Sequence, residues 1–547
     1  MKGWGRFERY TFDSLRRDLI AGLIVGVVAI PLGMAFAIAS GVNPQYGIYT
    51  TIVAGILVSL FGGSKFQIGG PTGAFIPILA AIVLQYGYEK LLLAGMMAGV
   101  LLIVMGVLRL GVLMKYIPRP VTIGFTSGIA VIIFSSQIGN FLGLTGLERH
   151  ETFWPNMREI GAHIASTNGY SIVIAAISLT VLIVLPKMIR RLPASLIALL
   201  LASLAANFFF KGKVATIGST YGAIPSALPT FALPPVSFDL VAQLFGPALL
   251  IALLGGIESL LSAVVADGMS GSRHNSNREL VGQGIANIIT PLFGGIPATG
   301  AIARTATNIR SGAVSPVAGI IHGIVVLVVL LLFAPLASAI PLAAMAPVLM
   351  LVAWNMSERK EFAHLLKART GDSFVLVITF SLTVFTNLTT AVEAGLALAI
   401  LLFIRRMSTQ LTVVNETETE GSAALVVYAI EGPLFFGTAS RLGKLMITEH
   451  SRLPQTLVLR LGKVPYIDSS GEYVLSAIVA RYQTSGVTVL IAGAQPQPLA
   501  LFKKTGLYAA IGEKHFFAHT EEAIHYELRR QEQSAAHDAQ HEKVPIA

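Results

Sequence analysis

Two turn-prone breaks interrupt apolar stretches that would otherwise be continuous helices: Gly70-Pro71-Thr72-Gly73 and Ile296-Pro297-Ala298-Thr299-Gly300. Each leads into a new apolar start, Ala74-Phe75-Ile76 and Ala301-Ile302-Ala303. Gly73 and Gly300 are 227 residues apart, and the same offset carries Pro31 onto Glu258. Irregular backbone is tolerated in hydrocarbon only where it is buried in protein or lines a polar cavity. A helix that begins there aims unpaired N–H groups and roughly half a positive charge at the cavity. Two such ends facing each other make an anion site, and matched interruptions in two halves of a chain mark a transporter binding site. The expected chemistry is capture of a small anion, chiefly by backbone N–H groups, between Thr72-Gly73-Ala74 and Gly300-Ala301-Ile302-Ala303. The alanine side chains leave little else there to bind charge.

Three ionisable residues bear on this site. Glu258 lies deep in an apolar run, with Asp267 the next acid. A carboxylate near the bilayer centre is costly if charged and unpaired, so Glu258 is either a protonated packing residue or the carrier of a coupled proton. Arg304, one turn into the second interrupted segment, either snorkels to the membrane surface or adds a full positive charge to the helix-end field. Leu32 and Phe36 of the first apolar run face the same site or serve ordinary helix packing. His322 and Glu393, near segment ends, read as interfacial or structural. No Gly-rich segment has a nucleotide-loop spacing. No nucleophile–base constellation or metal-ligand cluster is present, which argues against an enzyme.

These residues sit in a chain that is 54% hydrophobic and 12% charged, with mean hydropathy +0.71. That is the composition of a polytopic α-helical membrane protein. The first apolar run is long enough to span and is not a cleavable signal. We count fourteen spans, roughly 18–40, 46–62, 70–86, 91–109, 120–144, 170–186, 193–210, 241–266, 280–293, 299–312, 313–333, 335–356, 372–389 and 391–407. The three starting at 70, 280 and 299 are short, as half-helices are. Lys2, Arg6, Arg9, Arg16 and Arg17 precede the first span. Arg109, Lys115 and Arg119, then Lys187, Arg190 and Arg191, fall on the same side, as do Arg273, Arg278, Arg359, Lys360, Lys367, Arg369, Arg405 and Arg406. The opposite loops hold only Lys90, Arg149, Arg158, Lys211 and Lys213. The positive-inside rule therefore expects both termini in the cytoplasm. It also explains much of the net charge of +10. Nucleic acid is not an expected partner, because no basic stripe with interleaved aromatics appears. There are no cysteines, so disulfides and thiolate metal sites are excluded.

From about residue 408 the composition is that of a soluble domain. A polar linker over 408–423 includes Asn415-Glu416-Thr417-Glu418-Thr419-Glu420-Gly421. Strand signals follow at 425–430, 456–461 and 487–492, with helices beginning near Ser470, Gln497 and Thr520, giving a small α/β domain over 424–532. Residues 533–547 read as a disordered polar tail. Asp468-Ser469-Ser470-Gly471-Glu472 joins a strand to a helix: either Ser469 or Ser470 caps that helix, or Ser469 is a phosphorylatable switch.

Several segments recur together in one family: Ala-Ile-Pro-Leu-Gly-Met-Ala-Phe-Ala at 29–37, Gly-Gly-Pro-Thr-Gly-Ala at 69–74 and Gly-Ile-Glu-Ser-Leu-Leu-Ser-Ala at 256–263. Ala-Asp-Gly-Met-Ser-Gly at 266–271, Glu-Leu-Val-Gly-Gln-Gly-Ile-Ala-Asn at 279–287 and Ala-Ile-Ala-Arg-Thr-Ala at 301–306 precede the Asp-Ser-Ser-Gly of the tail domain. Over nearly its whole length the chain resembles the SulP (sulphate permease) anion transporters, whose C-terminal part is a STAS domain. The resemblance implies fourteen transmembrane segments in a seven-plus-seven inverted repeat. It also implies a core (spans 1–4 and 8–11), a gate (spans 5–7 and 12–14) and elevator-type alternating access. Relatives that handle sulphate or halide often carry Gln and Ser where this chain has Leu32 and Ala303, and the pattern looks closer to bacterial dicarboxylate-uptake members. The expectation is proton-coupled import of fumarate- or succinate-like dicarboxylates through Glu258. Bicarbonate, sulphate or chloride transport or exchange, or a passive anion channel, remain alternatives; a pure channel has no need of an intramembrane carboxyl. A family-like sodium site could use Glu258, Ser262 and Thr299, as a weaker alternative to the proton; no other cofactor is expected. The expected partners are the lipid bilayer, a second copy in a homodimer and a cytoplasmic partner of the STAS domain.

Overall fold

The computed structural model describes residues 10–111, 118–150, 152–189, 193–386, 388–416, 425–448 and 453–541. Lys2, Arg6, Arg9, Lys115, Arg190 and Arg191, invoked above for topology, lie outside the described residues, as do 417–424 of the linker and the end of the tail. The chain divides into two compact units, Met1–Ala397 and Leu398–Ala547.

The first unit is helical: α1 (Phe12–Ala39), α2 (Pro44–Phe61), α3 (Ile76–Tyr86), α4 (Tyr88–Val107), α5 (Arg119–Ser136), α6 (Ile138–Leu142), α7 (Phe153–Ala162), α8 (Gly169–Met188) and α9 (Ala194–Phe209). It continues with α10 (Ile217–Tyr221), α11 (Phe238–Ser270), α12 (Ser276–Leu292), α13 (Ile302–Arg310), α14 (Val317–Ser338), α15 (Leu342–Met356), α16 (Arg359–Lys367) and α17 (Gly371–Phe385), and α18 (Leu388–Thr409) begins in it and ends in the second unit. Each of the fourteen expected spans coincides with helix, because in hydrocarbon only intrasegment hydrogen bonding satisfies the backbone. The two breaks appear as two-residue strands, β1 (Gly69–Gly70) and β2 (Thr299–Gly300).

The helices fall into two packing groups. In one, α4 packs on α11 and α12, α2 on α12 and α14, and α1 on α2 and α14; in the other, α5 packs on α15 and α17, and α8 on α9 and α15. Small residues let backbones approach within the first group, as in membrane interfaces generally. A Cβ on Gly99 of α4 would lie 2.7 Å from the Gly284 carbonyl oxygen of α12, and one on Gly284 would lie 2.5 Å from that of Gly99. Gly284→Leu must therefore drive two backbones apart, beyond the ~1–3 kcal/mol of ordinary overpacking. No monodisperse protein is expected from detergent extraction of this variant. Gly161→Leu, at a position with open space around it, should extract normally.

Buried carboxylates fasten loops to this group. Asp18 on α1, fully buried, accepts from the backbone N–H of Val314 at 2.7 Å and of Ser315 at 3.2 Å, from Ser315 Oγ at 2.5 Å and from Tyr10 Oη at 3.1 Å. It satisfies the orphan donors ahead of α14, as an acidic cap does. Glu279, in the first turn of α12, likewise accepts from the N–H groups of Gly63 and Ser64 at 2.7 and 3.1 Å.

The second unit holds a sheet of order β3-β4-β5-β6-β7, formed by β3 (Thr412–Asn415), β4 (Leu425–Glu431), β5 (Thr456–Lys463), β6 (Thr488–Ala492) and β7 (Phe516–Phe517). β3 runs antiparallel to β4 and the other pairs are parallel. The helices are α19 (Phe436–Thr448), α20 (Ser469–Thr484), α21 (Pro496–Thr505), α22 (Leu507–Ile511) and α23 (Thr520–His541). Three readings of the sequence change here. Thr412–Asn415 belongs to the sheet, although it falls in the stretch read as linker; Val413 packs against the domain core led by Tyr428 and Leu459. α23 runs to His541 through residues read as a disordered tail, where Ala-Ala-His-Asp-Ala-Gln has good helix propensity. Asp468, not a serine, is the cap of α20: its carboxylate accepts from Gly471 N at 2.8 Å and from Phe436 N at 3.0 Å. Ser469 and Ser470 are left exposed.

Candidate anion-binding site

β1 and β2 pair antiparallel, Gly69 opposite Gly300 and Gly70 opposite Thr299. The two interruptions thus supply each other's hydrogen bonds, and buried polar side chains complete the set, as broken backbone inside a bilayer requires. Ala301 N donates to Ile68 O at 2.9 Å, Ile68 N to Thr305 Oγ1 at 3.1 Å, and Asn308 Nδ2 to Phe66 O at 3.0 Å. Asn287 donates to Ala298 O at 2.7 Å and accepts from Ala298 N at 2.8 Å. Gln67 Nε2 donates to Ser259 O at 3.1 Å, and its Oε1 accepts from Ser262 Oγ at 3.0 Å. Sequence reasoning singled out none of Gln67, Asn287, Thr305 and Asn308. The available signal was polar side chains at i, i+3 or i+4 spacing on segments too short to span.

On leaving this crossing, both chains start helices with open ends. A single 3-10 turn at Gly73–Phe75 precedes α3, with Thr72 as its cap; α13 starts at Ile302 after Ala301. The N–H groups of Gly73 and Ala74, and of Ile302, Ala303 and Arg304, find no hydrogen-bond partner among the described residues. Ile302 and Ala303 are exposed, whereas Ala74 and Ala301 are buried. α1 packs against both α3 and α13, and Phe36 shares the apolar cluster of Ala74, with Leu32 packed on it. Leu32 and Phe36 are accordingly an apolar wall and not polar ligands.

The charged residues meet at the crossing. Arg304 is 3% exposed, so snorkelling is excluded. Its guanidinium turns inward across the repeat boundary, donates through Nη2 to the Pro71 carbonyl and fills the space beside Gly70, whose φ of 152° suits glycine alone. Nη1 has no hydrogen-bond partner among the described residues. Such a buried, unsatisfied charged donor is costly unless a ligand supplies the acceptor. Glu258 Oε2 accepts from Thr72 Oγ1 at 2.9 Å, so one turn-forming segment, residues 70–72, holds both groups. They are not within ion-pair distance of each other.

Other expected site residues are placed differently. The side of Gly300 that would carry a Cβ is occupied by Gln67, so Gly300 is part of the crossing and not an open ligand; a bulky residue there disrupts assembly. Ser262 is committed to Gln67 and Thr305, and Thr299 Oγ1 donates to Gly255 O at 2.8 Å. Glu258, Ser262 and Thr299 thus each have a hydrogen-bond partner of their own. His322 is buried against Gly55, not interfacial, while Glu393 is exposed. Gly73 faces the second packing group: a Cβ there would lie 2.8 Å from Met356 Sδ and 3.4 Å from Val352 Cγ1 of α15. Gly73→Leu is expected to weaken anion binding at least tenfold by displacing the start of α3, with partial recovery in Gly73→Leu/Met356→Ala. Calorimetry giving unchanged affinity for Gly73→Leu would remove this helix end from the site.

The profile of the Sulfate permease family matches residues 15–379, and that of the STAS domain matches 416–523. The chain belongs to the sulfate permease family. A Bacillus subtilis protein named "Putative sulfate transporter YvdB" is 55% identical over 528 residues, covering 95% of this chain and 99% of its own. The transmembrane domain of a cyanobacterial bicarbonate transporter, BicA, superimposes with TM-score 0.63 at 29% identity, covering 72% of this chain and 98% of that one. The murine Solute Carrier 26 family member A9 anion transporter superimposes with TM-score 0.86 over 96% of this chain and 93% of its own; at 18% identity this shows the fold alone. The protein is thus an integral membrane anion transporter of this family, a seven-plus-seven helical transporter with a C-terminal STAS domain.

Proposed function

We propose that the protein is a secondary transporter that carries one small divalent oxyanion, sulfate in the first instance, together with a proton on Glu258. The carrying observation is the partnerless Nη1 of buried Arg304 beside two open helix ends. Two helix ends of roughly half a charge each, plus Arg304, supply about two positive charges, which matches a divalent anion when Glu258 is neutral. With Glu258 ionised the balance favours a monovalent anion such as bicarbonate. Relatives named for sulfate and bicarbonate support this order over fumarate or succinate. A dicarboxylate is the second reading, favoured by the apolar Leu32 and Ala303, which remove side-chain donors at the site. Uptake of radiolabelled sulfate, bicarbonate and succinate into proteoliposomes, with and without an inward proton gradient, separates these readings. Gradient-independent sulfate flux would leave a uniporter or channel.

In this reading the first packing group is the core and the second the gate, and the half-helices move as one body past α5 and α15 in an elevator step. The protein works as a homodimer in a bacterial cytoplasmic membrane with both termini inside. The STAS domain regulates or assembles, with exposed Ser469, in the first turn of α20, as its phosphorylation candidate. Truncation after about Arg406 is accordingly expected to leave the ranking of transported anions unchanged while rate or dimerisation falls. A folded truncated protein with a different preferred anion would overturn this division of labour.

A further inference from the structure

We infer that the gate group carries a site for an anionic phospholipid in the cleft between α16 and the first two turns of α17. α16 has no buried residue. The cleft beside it is lined by Leu366, Lys367, Arg369, Thr370, Phe374 and Val377. Its polar end holds two cations. The side chains of Lys367 and Arg369 make no hydrogen bond or ion pair with described residues. Neighbouring charges are engaged elsewhere: Glu361 pairs with Arg119 at 3.5 Å, and Arg359 stacks on Trp354 at 3.7 Å. Asp372, in the first turn of α17, does not line the cleft. The apolar end exposes Phe374 (55%), Leu366 (45%) and Val377 (38%), and α17 is one of the membrane-spanning segments. From Thr370 to Val377 the helix rises about 10 Å, the step from a lipid headgroup to its upper acyl chain.

Cations outside, a hydroxyl-bearing turn and then exposed apolar side chains follow the order of groups along a phospholipid. Basic clefts at the edge of membrane-spanning helices recognise anionic headgroups. A soluble phosphate would use only the cations and leave Phe374 and Val377 without a role. Surface charge near an anionic leaflet adds affinity for each basic side chain, so loss of both cations should weaken selective lipid retention about thirtyfold.

The test is native mass spectrometry of the full-length protein in detergent, titrated with phosphatidylglycerol and, separately, phosphatidylcholine. Wild type is expected to retain phosphatidylglycerol selectively. Lys367→Gln/Arg369→Gln should lose that selectivity, and Lys360→Gln, on the same helix but outside the cleft, should keep it. Equal retention by the double variant and wild type overturns the proposal. So does equal loss in Lys360→Gln, which would make the effect a diffuse surface charge. Displacement of the lipid by millimolar inorganic phosphate would show that a free anion and not a lipid occupies the cleft.

Discussion

Arg304→Gln is expected to reduce anion affinity by roughly 150- to 5,000-fold, the ~3–5 kcal/mol that accompanies removal of one partner of a buried, hydrogen-bonded charge pair. The loss has two parts. The substitution deletes the full charge whose Nη1 awaits an acceptor, and it breaks the bond to Pro71 that fixes the guanidinium at the crossing. Arg304→Lys separates them. It keeps the charge, but one ammonium cannot present the same planar fork to Pro71 and to a ligand, so intermediate affinity is expected. Calorimetry on purified protein with matched elution profiles measures both variants. Wild-type affinity in Arg304→Gln would leave the helix ends as the whole site.

Glu258→Gln should abolish accumulation driven by a proton gradient while leaving anion binding within a few-fold of wild type. Glutamine preserves shape and can still accept from Thr72 Oγ1, the partner of Glu258, but cannot exchange a proton. For one-proton symport, each pH unit of gradient supports about tenfold accumulation; in the variant the inside-to-outside ratio should fall to about one. Retained acid-stimulated accumulation would move the coupling to another group. Replacing sodium by choline at fixed pH checks the weaker ionic alternative, a cation held by Glu258, Ser262 and Thr299.

The breaks at Gly70–Thr72 and Pro297–Gly300 were legible because Gly and Pro inside an apolar run have few membrane explanations, and the shared offset pointed at two halves. The positions of Glu258 and Arg304 were legible in the same way. Their orientation was not. Whether Arg304 climbs to the surface or reaches Pro71 depends on a contact 233 residues away, which no local pattern encodes. Gly300 looked like an open ligand only because Gln67, which closes over it, reads as an unremarkable loop residue. In the tail domain β4, β5 and β6 were readable as continuous apolar runs, whereas the two-residue β7 was not. β3 was hidden by the polar stretch that follows it, since its pairing partner β4, and not its own composition, makes it a strand.

The Asp18 clamp has a consequence for biogenesis. The donors to its carboxylate at residues 314 and 315 are made 296 and 297 residues later in the chain. At translation rates of about 5–20 residues per second, α1 waits about 15–60 s in or near the translocon with a carboxylate that lacks these donors. The first helix is therefore seated in its final contacts only when residues 314 and 315 arrive to receive it, so its placement follows its own synthesis by more than half the chain and still precedes completion of the STAS domain.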